Sequence, residues 1–238
     1  MNIVLFEATE VESPLPRADP RARHVLEVLR RRPGESFDTG LIDGPRGKAT
    51  VESIDGEGLS LSFVWGEEPP SLEPLTLIVG LPRPQTARKV LEEATALGVQ
   101  AMHFVTSERG EPGYGASRLW SSGEWRRHVI AGAAQAFSTR LPVVTWGARL
   151  ADAIDRSGGG VGTRLALDNY EASEAFGGAG LAAPVLIAIG AERGWSEAER
   201  AVLRGAGFRF VHLGERVLRV ETACVAATVL ARAGLGRM

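Results

Sequence analysis

The residues best suited to chemistry in this sequence fall in two glycine-bearing stretches, IAIGAERGWSEAE (187–199) and HLGERVLRVETA (212–223). Each follows a short apolar run, Val185 to Ile189 and Phe208 to Leu213. If those runs are strands of an open α/β sheet, the glycines stand at their carboxyl ends, where such sheets collect ligands. Gly190, Gly194 and Gly214 carry no Cβ, so main-chain N–H and C=O groups can approach a ligand closely, which suits a planar base read by backbone. Arg219 adds a guanidinium whose planar fork can hold a carboxylate or a phosphate in a partly dry pocket. An ion pair with Glu221 or Glu192 is its alternative use.

Other side chains in these stretches have structural readings. Ser196 is placed to cap a helix with Glu199 three residues on, a capping box, so Glu199 is read as structural. Glu221 and Thr222 open the last helix, where a carboxylate favours the positive end of the dipole; a part in the chemistry is the alternative for Glu221. The exits hold neither a Gly-x-x-x-x-Gly-Lys-Ser/Thr loop nor a Gly-x-Gly-x-x-Gly turn, which counts against an NTPase or a dinucleotide enzyme. SGGGVG (157–162) precedes a strand and reads as a flexible loop.

The elements that must position these residues change character along the chain. Up to about residue 70, NIVLF, ESFDTGLID, KATVESI and LSLSFVW alternate and are separated by Gly, Asp and Pro turns, with one helix near Arg21 to Arg31. This predicts a small β-rich domain over 1–70. GEEPPSLEP, Gly66 to Pro74, is the linker, because proline cannot continue a ladder. From 71 to 238, LTLIVGL, AMHFVT, PVVTW, TRLALD, VLIAIG and FRFVHL are predicted strands alternating with helices. Val90, Leu91, Ala94 and Leu97 share one helical face, and Gly98 offers a C-cap. The pattern predicts an α/β class with a largely parallel sheet covered on both faces.

Composition narrows the function. The 238 residues are 44% hydrophobic, enough for a proper core. No apolar run reaches the roughly 18 residues of a membrane span, and MNIVLFEATE has neither a charged n-region nor a cleavage site, so no membrane role and a cytoplasmic location are expected. The single cysteine, Cys224, forms no internal disulfide, reads as a buried structural thiol, and no spacing suits a metal. A net charge of −2 argues against coating nucleic acid by charge alone. Yet Pro14 to Gly34 carries six arginines against Asp19 and Glu27, a local balance of +4. That segment is either a localised anion site or a solvated basic face.

With both loops read, the sequence resembles the bacterial 16S rRNA (uracil-N3)-methyltransferase family, RsmE, within the SPOUT superfamily. The family's second loop typically reads Leu-Gly-x-Arg-Ile-Leu-Arg-x-Glu-Thr-Ala, matched by Leu213, Gly214, Arg216, Leu218, Arg219, Glu221, Thr222 and Ala223, with Val217 for isoleucine. RHVLEVLR, EEATALGV, SERG and WRRHVIAGAAQAFSTRLP follow in the family's order, so the resemblance covers nearly the whole chain. It implies a PUA-like β-barrel that helps hold RNA, then a SPOUT-type parallel sheet flanked by helices and closed by a trefoil knot, against the usual rule on threaded chains. It also implies a homodimer acting on 16S rRNA of the 30S subunit.

S-adenosylmethionine is the implied cofactor, with Leu167, Ile189, Gly190, Glu192, Gly194, Leu213, Gly214, Val217, Leu218 and Thr222 around it. Arg219 would stabilise a uracil anion and Glu221 help orient it. Arg17, Arg21, Arg23 and His24 of the small domain would grip phosphate, and Arg109 and Arg140 are further RNA contacts by family position.

Departures from the pattern open rival readings. The first loop usually reads Gly-Pro-Glu-Gly-Gly; here Ala191 replaces the proline and Arg193 a glycine, which predicts strain if that position needs positive φ. Glu93 stands for a lysine, Ala96 and Ala134 for glutamates, and Ser138 for an arginine. These changes suit an enzyme with altered substrate contacts, or a noncatalytic RNA-binding or ribosome-assembly factor that keeps the fold. A small-molecule α/β enzyme is a third reading, favoured by the negative net charge.

Overall fold

The computed structural model describes residues 2–158, 160 and 162–238; Gly159 and Val161 of the SGGGVG segment lie outside the described residues. The chain divides into two compact units, Met1–Ser71 with Ala133–Leu141, and Leu72–Gly132 with Pro142–Met238.

The first unit contains β1 (Val4–Phe6), β2 (Leu15–Pro16), α1 (Pro20–Arg23), β3 (Ser36–Leu41), β4 (Arg46–Ile54) and β5 (Gly58–Trp65). They form a five-stranded sheet in the order β1-β3-β4-β5-β2. Val4, Phe6, Val25, Phe37, Val51 and Leu59 meet in its core. The helix expected over Arg21 to Arg31 is instead one turn of α1, begun by Asp19 as N-cap and Pro20, running into a π-helical turn over His24–Val28. The widening ends where Arg30 takes φ 54°.

Ala133–Leu141 joins this unit from the middle of the chain. Ile3 N–H donates to the Ala134 carbonyl at 3.2 Å. The Thr139 hydroxyl, on a fully buried residue, donates to the Gly44 carbonyl at 2.6 Å.

The second unit contains β6 (Glu73–Gly80), α2 (Pro84–Ala96), β7 (Val99–Val105), α3 (Arg118–Ser121), α4 (Glu124–Gln135, whose last residues count with the first unit), β8 (Val143–Ala148), α5 (Leu150–Arg156), β9 (Thr163–Leu167), β10 (Glu174–Ala175), β11 (Val185–Ile189), α6 (Glu197–Gly205), β12 (Arg209–His212) and α7 (Val220–Gly234). All six strands read from short apolar runs are present, and the short edge strand β10 is added to them. The sheet runs β10-β12-β9-β11-β6-β7-β8, with every pairing parallel. All five residues of β11 are buried, as a strand covered on both faces requires.

One side of the sheet buries Ile78, Ala166, Leu186 and Ala188 against Leu150, Ile154, Trp195 and Leu203 of α5, α6 and the turn before α6. Helices α2 and α7 pack on each other and on β6, β7 and β11. In α2, Val90, Leu91 and Ala94 are buried, the expected face.

Candidate active site

The carboxyl ends of β12, β9 and β11 lie side by side, because these strands are neighbours in that order. The segments leaving them, Leu167–Tyr170, Ile189–Gly194 and Val211–Ala223, wall a cavity of about 690 Å³ together with Arg83 and Thr86 from the start of α2. This is the crevice position in which open parallel sheets bind ligands, at a volume typical of small-molecule sites.

Ten of the residues singled out in the sequence line it: Leu167, Ile189, Gly190, Glu192, Gly194, Leu213, Val217, Leu218, Arg219 and Glu221. Gly214, at φ 102°, lines a smaller adjoining cavity of about 230 Å³ that shares His212, Leu213 and Leu218 with the first. Thr222 is exposed and lines neither cavity.

The first loop is held tightly. A Cβ at Gly190 would come within 2.9 Å of the Gly194 backbone, so the chain can fold back on itself only if residue 190 is glycine. The positive φ of the loop falls on Gly194, at 67°, and not on Arg193. The strain expected from arginine in GAERG is therefore absent: the conformation that demands glycine sits one residue later. Glu192 accepts the Arg83 backbone N–H at 3.0 Å, tying this loop to the start of α2. The capping box is present, with the Ser196 side chain on the Glu199 N–H and the Glu199 carboxylate on the Ser196 N–H; Glu199 also accepts the Glu108 N–H at 3.0 Å. Glu199 is thus structural.

Glu221 pairs with Lys89 of α2 at 3.2 Å. Burial pushes its carboxyl up, but its own backbone N–H, Lys89 and the charge of Arg219 outweigh that and hold it below its ordinary value. With Glu221 engaged by Lys89 and Glu192 by the Arg83 amide, exposed Arg219 has no ion-pair partner among the described residues. Its guanidinium stands free on the cavity wall.

Sequence reasoning missed Asp168, Tyr170, Arg83, Thr86 and His212, all on the cavity wall. An apolar run followed by Asp marked the exit of β9, but nothing local signalled what that Asp would hold.

The arginines proposed for RNA divide by their surroundings. Arg17, with one N–H on the Asp55 carbonyl, and Arg23 are exposed. Arg140 reaches the Asp43 carbonyl at 2.9 Å and Glu68 at 3.3 Å. In the second unit, exposed Arg109 donates to the Arg193 carbonyl at 3.3 Å.

Arg21 departs from the expectation. Its donors go to Asp19, Glu10 and the Leu5 carbonyl, through Nε, both Nη1 and both Nη2 positions. A guanidinium has no sixth N–H, so Arg21 fixes the small unit and has none left for phosphate. The Nε2 of His24 is buried and without a partner.

Among the described residues, no group of His, Cys, Asp or Glu is placed to hold a metal, and no helix is long and apolar enough to cross a membrane.

Residues 68–232 match the family model described as an RNA methyltransferase domain. The chain is 37% identical to ribosomal RNA small subunit methyltransferase E of Treponema pallidum, over 98% of this chain and 92% of that protein. It resembles the crystal structure of a ribosomal RNA small subunit methyltransferase E from Neisseria gonorrhoeae bound to S-adenosyl methionine, with a TM-score of 0.78, 26% identity and 97% of each chain covered. In fold it also matches a probable rRNA-methyltransferase from Porphyromonas gingivalis, with a TM-score of 0.79, 24% identity and 98% and 99% of the two chains covered. With matched residues spanning both glycine loops and the helix that closes the cavity, the chain belongs to the RNA methyltransferase family of ribosomal RNA small subunit methyltransferase E.

Proposed function

We propose that this protein transfers a methyl group from S-adenosylmethionine to N3 of a uridine in 16S rRNA of the small ribosomal subunit. The observation that carries the reading is the cavity at the ends of β9, β11 and β12, with a free guanidinium, Arg219, on its wall. The donor set fits an adenosyl ligand: apolar Leu167, Ile189, Leu213 and Leu218 suit a flat ring, and the glycine loop leaves backbone accessible. The bound cofactor supplies a methyl carbon made electrophilic by its sulfonium.

This chain's own residues have the remaining tasks. Uracil N3 must lose its proton before its lone pair can attack, so the site must position the base and stabilise an enolate-like anion. Arg219 would provide that stabilisation. Glu221, whose carboxyl its own backbone N–H, Lys89 and Arg219 hold below its ordinary value against burial, would orient Arg219 through its charge. The target base leaves its pairing to enter the cavity, as base-modifying enzymes require.

The same reading makes residues 1–70, completed by Ala133–Leu141, a PUA-like barrel that holds RNA, with Arg17, Arg23 and Arg140 toward phosphate, and the rest of residues 71–238 the SPOUT methyltransferase domain with its trefoil knot. It includes a homodimer and a cytoplasmic site of action.

The test is transfer of labelled methyl from S-adenosylmethionine to 30S subunits from a strain lacking this gene, mapped by nuclease digestion and mass spectrometry. Label at N3 of one uridine is the expected result. Cofactor binding by calorimetry without transfer would overturn it in favour of a noncatalytic RNA-binding factor.

A further inference from the structure

Two large side chains of the cavity lining stand in water. Tyr170 lines the opening and is nevertheless 81% exposed. Val217, from the segment that follows β12, also lines the cavity and is 79% exposed. An exposed aromatic ring bordering a ligand cavity is open to a part of the ligand that extends beyond it.

The tyrosine is mounted on a rigid support. The Asp168 carboxylate accepts the backbone N–H groups of Tyr170 and Glu171 at 2.7 and 2.8 Å through one oxygen. Through the other it pairs with Arg200 Nε at 2.8 Å, and these two side chains are only 2% and 9% exposed. The Arg200 guanidinium in turn lies 5.2 Å from the centroid of the Tyr170 ring. One buried carboxylate therefore fixes both the turn that displays the ring and the cation beneath it. Glu171 adds a further tie, pairing with Arg204 of α6. A surface tyrosine with no role needs no such support.

From this arrangement we propose that Tyr170 is a stacking platform for a nucleobase of the RNA substrate at the mouth of the cavity, and so a specificity-determining residue. The proposal rests on the methyl-transfer reading for the identity of that RNA. The ring is presented outward, where a splayed base can lie on it, and a guanidinium behind an aromatic face accompanies base stacking in single-strand recognition.

The test uses the full-length protein with Tyr170→Ala and Tyr170→Phe, measuring S-adenosylmethionine affinity by calorimetry, retention of 30S subunits on filters, and the KM for 30S subunits in methyl transfer. The exposure of the ring means that neither variant should disturb folding. Tyr170→Ala should weaken 30S binding and raise KM by roughly fivefold to a hundredfold, with cofactor affinity unchanged, and Tyr170→Phe should restore both.

If Tyr170→Ala weakened cofactor binding instead, the ring would belong to the cofactor site and the proposal would fall. Unchanged 30S binding and KM in a protein that methylates 30S would also overturn it and leave the enzyme reading intact. If the wild type transferred no methyl yet lost 30S binding on Tyr170→Ala and regained it with phenylalanine, the platform would stand and the enzyme reading would fall. A wild type that neither bound nor methylated 30S would overturn both.

Discussion

Lys89 and Glu221 join helices α2 and α7, with Nζ 3.2 Å from Oε1 at the wall of the cavity. The lysine is largely exposed and the carboxylate is not, so the pair adds little stability, under about 1 kcal/mol, and its effect falls on the charge of Glu221. Lys89→Met removes one of the groups that depress the Glu221 carboxyl and shifts it upward, with its own backbone N–H and Arg219 left to oppose burial. The acid limb of the pH profile for methyl transfer should then move to higher pH, with Lys89→Arg returning it. Initial rates between about pH 4 and 8 check this, and coincident profiles would remove Glu221 from the chemistry.

Arg219→Ala should lower the single-turnover rate of methyl transfer by about 10²–10³, the cost of losing one donor aimed at developing negative charge. Its affinity for S-adenosylmethionine should stay near that of the wild type, because the proposed function assigns the adenosyl moiety to backbone and apolar groups. An equal loss in both quantities would make Arg219 a cofactor ligand.

Gly190→Ala places a Cβ 2.9 Å from the Gly194 backbone, and backbone cannot swing aside as a side chain does. A rearrangement costing about 1–3 kcal/mol is expected. Calorimetry should show cofactor affinity falling by tenfold or more, with the loss concentrated in binding and the melting temperature only modestly lower.

Arg21→Met deletes a network in which Glu10 and Asp19 are held below their ordinary values, first by hydrogen bonds from Arg21 and against the effect of burial. Urea unfolding near pH 7 should show a loss of about 2–3 kcal/mol. Because the folded pKa values are depressed, the stabilisation is complete above the ordinary values of 4.5 and 3.8 and is lost as pH falls through the folded ones. The gap between wild type and variant should accordingly shrink in acid.

Cys224 is buried in α7, and burial, followed by the negative charge of Glu221, pushes its thiol up to about 12. The thiolate is the reactive form. A thiol reagent at pH 8 should label none of the native protein and one equivalent after unfolding in urea.

Much of the architecture was legible because its causes are local. Short apolar runs between turn residues identified β6, β7, β8, β9, β11 and β12, and the spacing of Ser196 and Glu199 announced the start of α6. The two loops disclosed most of the cavity wall, since a glycine at 190 and another at 194 are required by the backbone itself. The rest depended on partners distant in sequence. Asp168 and Arg200 are 32 residues apart, and nothing near either foretells that their pairing supports Tyr170. Likewise Arg21 read as a free cation until Glu10, Asp19 and the Leu5 carbonyl surrounded it.

The insertion of Ala133–Leu141 into the first unit has a consequence for biosynthesis. When residue 71 leaves the ribosome, the sheet of that unit still lacks Thr139 and the Ala134 carbonyl that receives Ile3. Translation at about 5–20 residues per second imposes a wait of several seconds before they arrive. The N-terminal unit is thus finished by the nascent chain only after α2, β7 and α4 have been made. A gene fragment ending at the linker should yield a polypeptide that exposes the surface this segment covers and aggregates, whereas supplying residues 133–141 through a circularly permuted gene should restore a folded unit.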